Sequence, residues 1–128
     1  MHNFNITEFM KYKAKLDNAL CEAAAGAASR CSISPREAAL LAELFCGDRM
    51  TADTVSVRGL TSEAEALVSA KLAAVDNDGV IKLTGRGEIA GKSIISAQEK
   101  FFEKIFGKIT PEEAFIIKNI IEKISSDF

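Results

Sequence analysis

The chain has 128 residues, a formal net charge of −2, 48% hydrophobic and 27% charged residues, and no tryptophan. These values fit one globular domain with a real core, and no apolar run is long enough to span a bilayer. They exclude a strongly basic nucleic-acid scaffold, a disulfide framework and a membrane protein. The N-terminal stretch M-H-N-F-N-I-T-E-F-M-K has no basic flank before an apolar run, so the sequence predicts no signal peptide and a cytoplasmic protein. His2 is the single histidine, which sets aside Ser-His-Asp, Cys-His and His-based metal sites. No paired-carboxylate site or nucleophile motif is recognisable, so neither an enzyme nor a cofactor is expected.

The first element is a long helix from Ile6 to about Arg30, capped by Asn5 or Thr7, with Glu8 in its first turn. Phe9, Met10, Leu16, Leu20, Ala23, Ala24 and Ala27 recur at helical spacing, and the small A-A-A-G-A-A run lets another helix approach closely. Cys21, Cys31 and Cys46 are an odd set without a C-x-x-C pair and read as reduced, partly buried thiols. Cys31, beside Arg30 at the helix end, is the best placed of them for a redox-sensing thiol.

Ser34-Pro35-Arg36-Glu37 is a second helix start: cap, proline at the first helical position, and the glutamate of a capping box. Ala38, Leu40, Leu41, Leu44 and Phe45 form its apolar face, and Gly47 ends it. Thr51 or Asp53 opens a short helix ending near Arg58-Gly59. A further helix begins at Thr61 or Ser62, the latter with Glu65 at capping-box spacing. Its expected core face is Ala64, Leu67, Val68, Leu72 and Val75, with Ser62, Glu63, Glu65, Ala66, Ser69, Ala70 and Ala73 outward. Short helix, glycine turn and second helix make a helix-turn-helix.

Leu72 to Gly91 then reads as a tight hairpin running into a helix. Ala74-Val75 and Val80-Ile81-Lys82-Leu83 are strands, and Asp76-Asn77-Asp78-Gly79 is the turn that Gly79 closes. A two-stranded hairpin is marginal alone and must lie against helices. Gly85-Arg86-Gly87-Glu88-Ile89-Ala90-Gly91 has glycine spacing one residue too long for a dinucleotide fingerprint, and its glycines read as the junction between hairpin and helix. Gly87 to Gly107 is a long helix, and Thr110-Pro111-Glu112-Glu113 opens a last one. That last helix carries Phe115, Ile116, Ile117, Ile120, Ile121 and Ile124 over more than one narrow stripe, so it needs partners on more than one side. A homodimer sharing the terminal helices satisfies this surplus.

The order of elements and four motifs carry a resemblance. They are I-S-P-R-E-A-A-L-L-A-E-L (Ile33 to Leu44), the helix-turn-helix Thr51 to Val75, I-K-L-T-G-R-G (Ile81 to Gly87), and I-T-P-E-E-A-F-I-I-K-N-I-I-E-K-I (Ile109 to Ile124). The chain resembles the MarR-type (multiple antibiotic resistance regulator) winged-helix transcription factors over nearly its whole length. The resemblance implies a mostly α fold with a small β-hairpin, as one winged-helix domain over residues 1–128. Residues 1–32 and 88–128 are the expected dimerisation helices, and 33–87 the helix-turn-helix and wing. It further implies Thr61 to Ala74 as the recognition helix, Asp76 to Gly79 as wing tip, and Lys82 and Arg86 as its basic flank.

The DNA-contacting set expected on this basis is Arg58, Thr61, Ser62, Ser69, Lys71, Lys82 and Arg86, with Arg36 and Arg49 as further phosphate contacts at the edge of a dimer. Double-stranded DNA, a second copy of the chain and a small-molecule effector are the implied partners. Three departures stand out: a short wing without the family's Asp-Arg-Arg run, an acidic wing tip, and Glu63 and Glu65 in the first turns of the recognition helix. Phosphate contacts supply most non-specific DNA affinity, so this acidity opposes binding. Three readings follow: a dimeric DNA-binding regulator responsive to a ligand, a winged-helix module acting through protein contacts without DNA, and a small-molecule or redox sensor whose output is still DNA.

Overall fold

Side-chain caps fix where most of the helices begin. In the computed structural model, which describes residues 4–47 and 49–127, the elements run α1 (Ile6–Arg30), α2 (Pro35–Phe45), β1 (Met50–Thr51), α3 (Ala52–Val57), α4 (Thr61–Ser69), β2 (Ala73–Val75), β3 (Val80–Leu83), α5 (Gly85–Phe106) and α6 (Pro111–Ser125). Asn5 caps α1, its Oδ1 accepting the Glu8 amide at 3.0 Å. Ser34 and Glu37 form the capping box of α2, each accepting the other's amide at 3.1 Å. Thr110 and Glu113 repeat it at α6, at 3.1 and 2.9 Å. Each such cap satisfies amides that the first helical turn leaves without partners and contributes about 1 kcal/mol. The sequence reading at His2 lies outside the described residues.

The chain divides into two compact units, Met1–Gln98 and Glu99–Phe128. The core of the first is built on Leu40, Leu41, Met50, Leu67 and Ile94, the largest fully buried side chains. Burying each such side chain contributes about 1.5–3 kcal/mol. Ala24, Ala27 and Ala28 are also buried, so the slim C-terminal half of α1 brings its backbone close to its neighbours. The other half of α1 keeps Ile6, Phe9, Met10 and Leu16 exposed. Cys21 and Cys31 are half-buried free thiols, whereas Cys46 is exposed, against the expectation of partial burial for all three.

The hairpin is not alone. Met50-Thr51 adds a third strand, giving the antiparallel order β1-β3-β2, with Met50 and Val75 both paired to Ile81. Two residues of strand are too short for periodicity to reveal. The helix of the helix-turn-helix also ends earlier than Ala74. It stops at Ser69, and Lys71 turns the chain with φ +62°, sending Ala73 to Val75 into β2. Ala73 is therefore buried, while Val68 and Val75 are exposed rather than in the core. Neither Thr61 nor Ser62 caps α4: Leu60 holds that position without a side-chain hydrogen bond.

In the second unit, α6 has no buried residue, and Phe115, Ile116, Ile120, Ile121 and Ile124 are each more than half exposed. Phe102 and Phe106 stack with ring centroids 4.5 Å apart. Among the described residues no helix is long and apolar enough to cross a membrane.

Candidate nucleic-acid interface

The helix-turn-helix is α3, a turn through Gly59 at φ +68°, and α4. Thr51 caps α3 by accepting the Thr54 amide at 3.3 Å, and the Leu60 amide closes the turn onto the Val55 carbonyl at 2.9 Å. Thr61, Ser62 and Ser69 are exposed on α4, so three of the expected neutral hydrogen-bonding groups are accessible. The Ser62 hydroxyl donates to Glu63 Oε2 at 3.2 Å.

Glu63 does not project outward. It is 8% exposed and lies 3.4 Å from the Arg36 guanidinium of α2. Its charge is thus partly answered inside the fold, and Glu65 is the exposed carboxylate of α4. Arg36, in turn, is engaged by Glu63. The sequence carried no signal for this pair, because the partners lie on different helices.

The expected cations divide into two classes. Arg58 grips Glu43 in a two-pronged contact, Nη1 to Oε2 at 2.7 Å and Nη2 to Oε1 at 3.0 Å. Lys82 pairs with Asp76 at 3.2 Å across the wing. Lys71 and Arg86 form no ion pair among the described residues, and both are exposed.

The wing tip owes its shape to Asp76. Its Oδ1 accepts the Asp78 amide at 2.8 Å and the Val80 amide at 3.0 Å, while the Asp76 amide donates to the Val80 carbonyl at 2.9 Å. The Val80 amide, foremost, holds the Asp76 carboxyl below its ordinary value; partial burial opposes this, and the Asp78 amide and Lys82 add to it. A hydrogen bond to the charged form favours that form. Asp76 is therefore the internal acceptor that organises the turn, and Asp78 is the exposed carboxylate left at the tip.

The L-T-x-x-G exit of the wing has an equally local cause. The Thr84 hydroxyl donates to the Lys71 carbonyl at 2.7 Å and accepts the Gly87 amide at 3.1 Å. The Thr84 amide donates to the Leu72 carbonyl at 3.1 Å. A Cβ on Gly87 would stand 1.9 Å from the Leu72 oxygen, so no larger residue fits there. Thr84 and Gly87 thus fasten the start of α5 to the link between α4 and β2, and place Arg86 on that joint.

Between α3, α4 and the sheet lies an open groove of about 480 Å³ walled by Val55, Val68, Val75 and Ile81, with Thr61 and Glu65 at its edge. Its walls are thus apolar beside a helix expected to meet bases.

The same arrangement of elements occurs in solved structures. A MarR-family transcriptional regulator from Silicibacter pomeroyi is similar, with a TM-score of 0.70, 16% identity, and 97% of this chain and 92% of that one covered. A Mycobacterium tuberculosis MarR-family protein in complex with DNA gives 0.62 and 16%, covering 94% and 98%. The same protein with p-aminosalicylic acid gives 0.67 and 14%, covering 95% and 99%. No protein-family profile matches the chain. No curated protein matches it either. The chain therefore has the MarR winged-helix fold, a mostly helical architecture with a small antiparallel sheet.

Proposed function

We propose that this chain is a dimeric DNA-binding transcriptional regulator responsive to a small-molecule effector, and not an enzyme. The observation that carries the reading is the fastened unit of α3, α4 and wing, with Thr61, Ser62 and Ser69 exposed on α4 and, at its end, Lys71 and Arg86, which form no ion pair among the described residues. In this reading α4 enters the major groove, where hydroxyls hydrogen-bond base edges, and Lys71 and Arg86 meet phosphates. Arg58 and Lys82 contribute less, because each must leave a carboxylate to reach DNA. The M. tuberculosis protein of the same fold binds DNA and p-aminosalicylic acid, which supports both DNA and a small effector as partners. The exposed apolar residues of α1 and α6 support a second copy as the third partner. We place the protein in the cytoplasm, where such a regulator meets its operator.

A titration at low salt against mixed genomic fragments tests this. Binding that weakens with added salt, and weakens across sequences in Arg86→Ala and Lys71→Ala, is the expected result. A folded dimer that binds no fragment at low salt would sink it.

A second reading is favoured by one observation. The groove along α4 exposes Val68 and Val75 beside Glu65, a surface better suited to an apolar protein segment than to phosphate. The protein-interaction module then takes the lead if the DNA titration is empty.

A further inference from the structure

Another cavity, of about 670 Å³, lies where the end of α1, the α4–β2 link and the first turns of α5 meet. Arg30 and Arg86 line it, Ser32 and Ser93 add hydroxyls, and Leu72 and Ile89 supply apolar walls. Among the described residues, no aspartate or glutamate lines it. This sets it apart from the groove bounded by α1 and α2, where Lys13 pairs with Asp17 and Arg58 with Glu43. Arg30 and Arg86 form no ion pair among the described residues. Two guanidiniums facing one cavity, with no carboxylate among its described lining residues, are a charge imbalance that an anion relieves, and their planar forks match tetrahedral or carboxylate oxygens.

A second observation points to the same place. Among the described residues, the non-glycine positions with positive φ are Ser32 at +59° and Lys71 at +62°. Ser32 lines the cavity, and Lys71 stands between its lining residues Ala70 and Leu72. Both follow a helix end, where glycine adopts this conformation at least cost. Of the two, Ser32 places its hydroxyl on the cavity, whereas Lys71 serves the turn from α4 into β2.

We infer that this cavity binds a small organic dianion, a phosphomonoester or dicarboxylate with a short apolar body. The two guanidiniums match its two negative charges, the hydroxyls of Ser32 and Ser93 complete the polar shell, and Leu72 and Ile89 cover the body. The inference deepens the effector part of the proposed function, yet its test is independent of DNA, because Arg30 belongs to the cavity and not to the DNA-contacting set. A dianion held there also occupies Arg86, which ties the site to the joint between α4 and the wing.

Calorimetric titration of the full chain with phenyl phosphate and phenylsuccinate, against inorganic phosphate, benzoate and benzyl alcohol, tests the assignment. At least one of the first two is expected to bind more tightly than each of the other three, and which one does so identifies the head group. Arg30→Gln and Arg86→Gln are each expected to lose about tenfold in affinity, as charge-assisted hydrogen bonds are removed. Both side chains are exposed, so the fold should persist, and unchanged unfolding temperatures check this. Arg30→Gln should keep its DNA affinity while losing the dianion. Absence of binding by both organic dianions at millimolar concentration overturns the inference. So does equal binding of benzoate or inorganic phosphate, or affinity unchanged in both arginine variants.

Discussion

Arg58, at the end of α3, holds Glu43 of α2 through two hydrogen bonds of 2.7 and 3.0 Å. The contact ties the helix-turn-helix to the helix beneath it, and it removes a cation from the surface that would meet phosphate. Both side chains are more than a third exposed, so water screens the pair and its contribution to stability is about 0.5–1 kcal/mol. Glu43→Gln is expected to lower stability by about that amount in urea unfolding. The same variant should bind DNA more tightly at low salt and steepen the salt dependence by about one unit per subunit, because the carboxylate that neutralises Arg58 is gone. Unchanged DNA affinity at every salt concentration would show that Arg58 does not reach phosphate.

The wing should be sensitive to acid through Asp76. Its folded-state carboxyl lies below the ordinary value, chiefly because it accepts the Val80 amide. The sign follows from linkage: stabilisation is fully present above the unfolded-state value of about 4 and fades as pH falls through the lowered folded value. Asp76→Ala should therefore destabilise the wing at neutral pH and lose that effect in strong acid. Asp76→Asn keeps an oxygen for the two amides but not the charge facing Lys82, so it should fall between. Amide exchange at Val80, compared among the three proteins at each pH, reads this out. Lys82→Met should raise the Asp76 titration only part way, since the Val80 amide remains.

Capping made the main helices legible. Asn5, Ser34 and Thr110 announce helix starts by chemistry that acts within three residues, and each helix begins where its cap places it. The winged-helix order was legible for the same reason, since Gly79 and the Thr84–Gly87 fastening are local. What escaped were relations between distant segments. Glu63 reads as an outward residue of α4 until Arg36 arrives from α2. The end of α4 at Ser69 depends on Lys71 adopting a conformation that its residue type disfavours. Strand β1 exists because Met50 and Thr51 pair with Ile81 and Val80 thirty residues later. At the candidate site, the identity of the cations was legible but not their partners, and partners decide which cations are available.

Two glycines of α5 serve close packing rather than flexibility, and they should respond differently to alanine. At Gly87 the added methyl would meet the Leu72 carbonyl at 1.9 Å, a backbone group that cannot step aside. At Gly91 it would meet Phe45 Cβ and Cδ2, both at 2.8 Å; rotation of the ring relieves the Cδ2 contact, while the Cβ contact needs a small shift of one helix against the other. Overpacking costs about 1–3 kcal/mol, against a helix-propensity gain of up to about 1 kcal/mol for Gly→Ala. Gly91→Ala should thus lose about 0–2 kcal/mol. Gly87→Ala should lose about 3 kcal/mol or more and loosen the Thr84 contacts. Urea unfolding of the two variants checks the order, and equal losses would refute the distinction.

The terminal helices carry the last prediction. Ile117 and Ile121 lie on a helix without a buried residue, and Phe115, Ile116, Ile120 and Ile124 are exposed beside them. The N-terminal half of α1 exposes Phe9, Met10 and Leu16 in the same way. Obligate subunit interfaces resemble a hydrophobic core cut in half, and these helices have that composition. The chain should sediment as a dimer at micromolar concentration. Ile117→Asp and Ile121→Asp should each shift it to monomer or unfold it, since a carboxylate placed in a dry interface is left without a partner. Because unfolding alone would be ambiguous, Lys118→Asp serves as the control: Lys118 is 75% exposed beside the stripe, and its replacement should leave the dimer intact. A stable monomer of the unmodified chain at that concentration would remove the dimer, and with it the paired presentation of two α4 helices to a palindromic site.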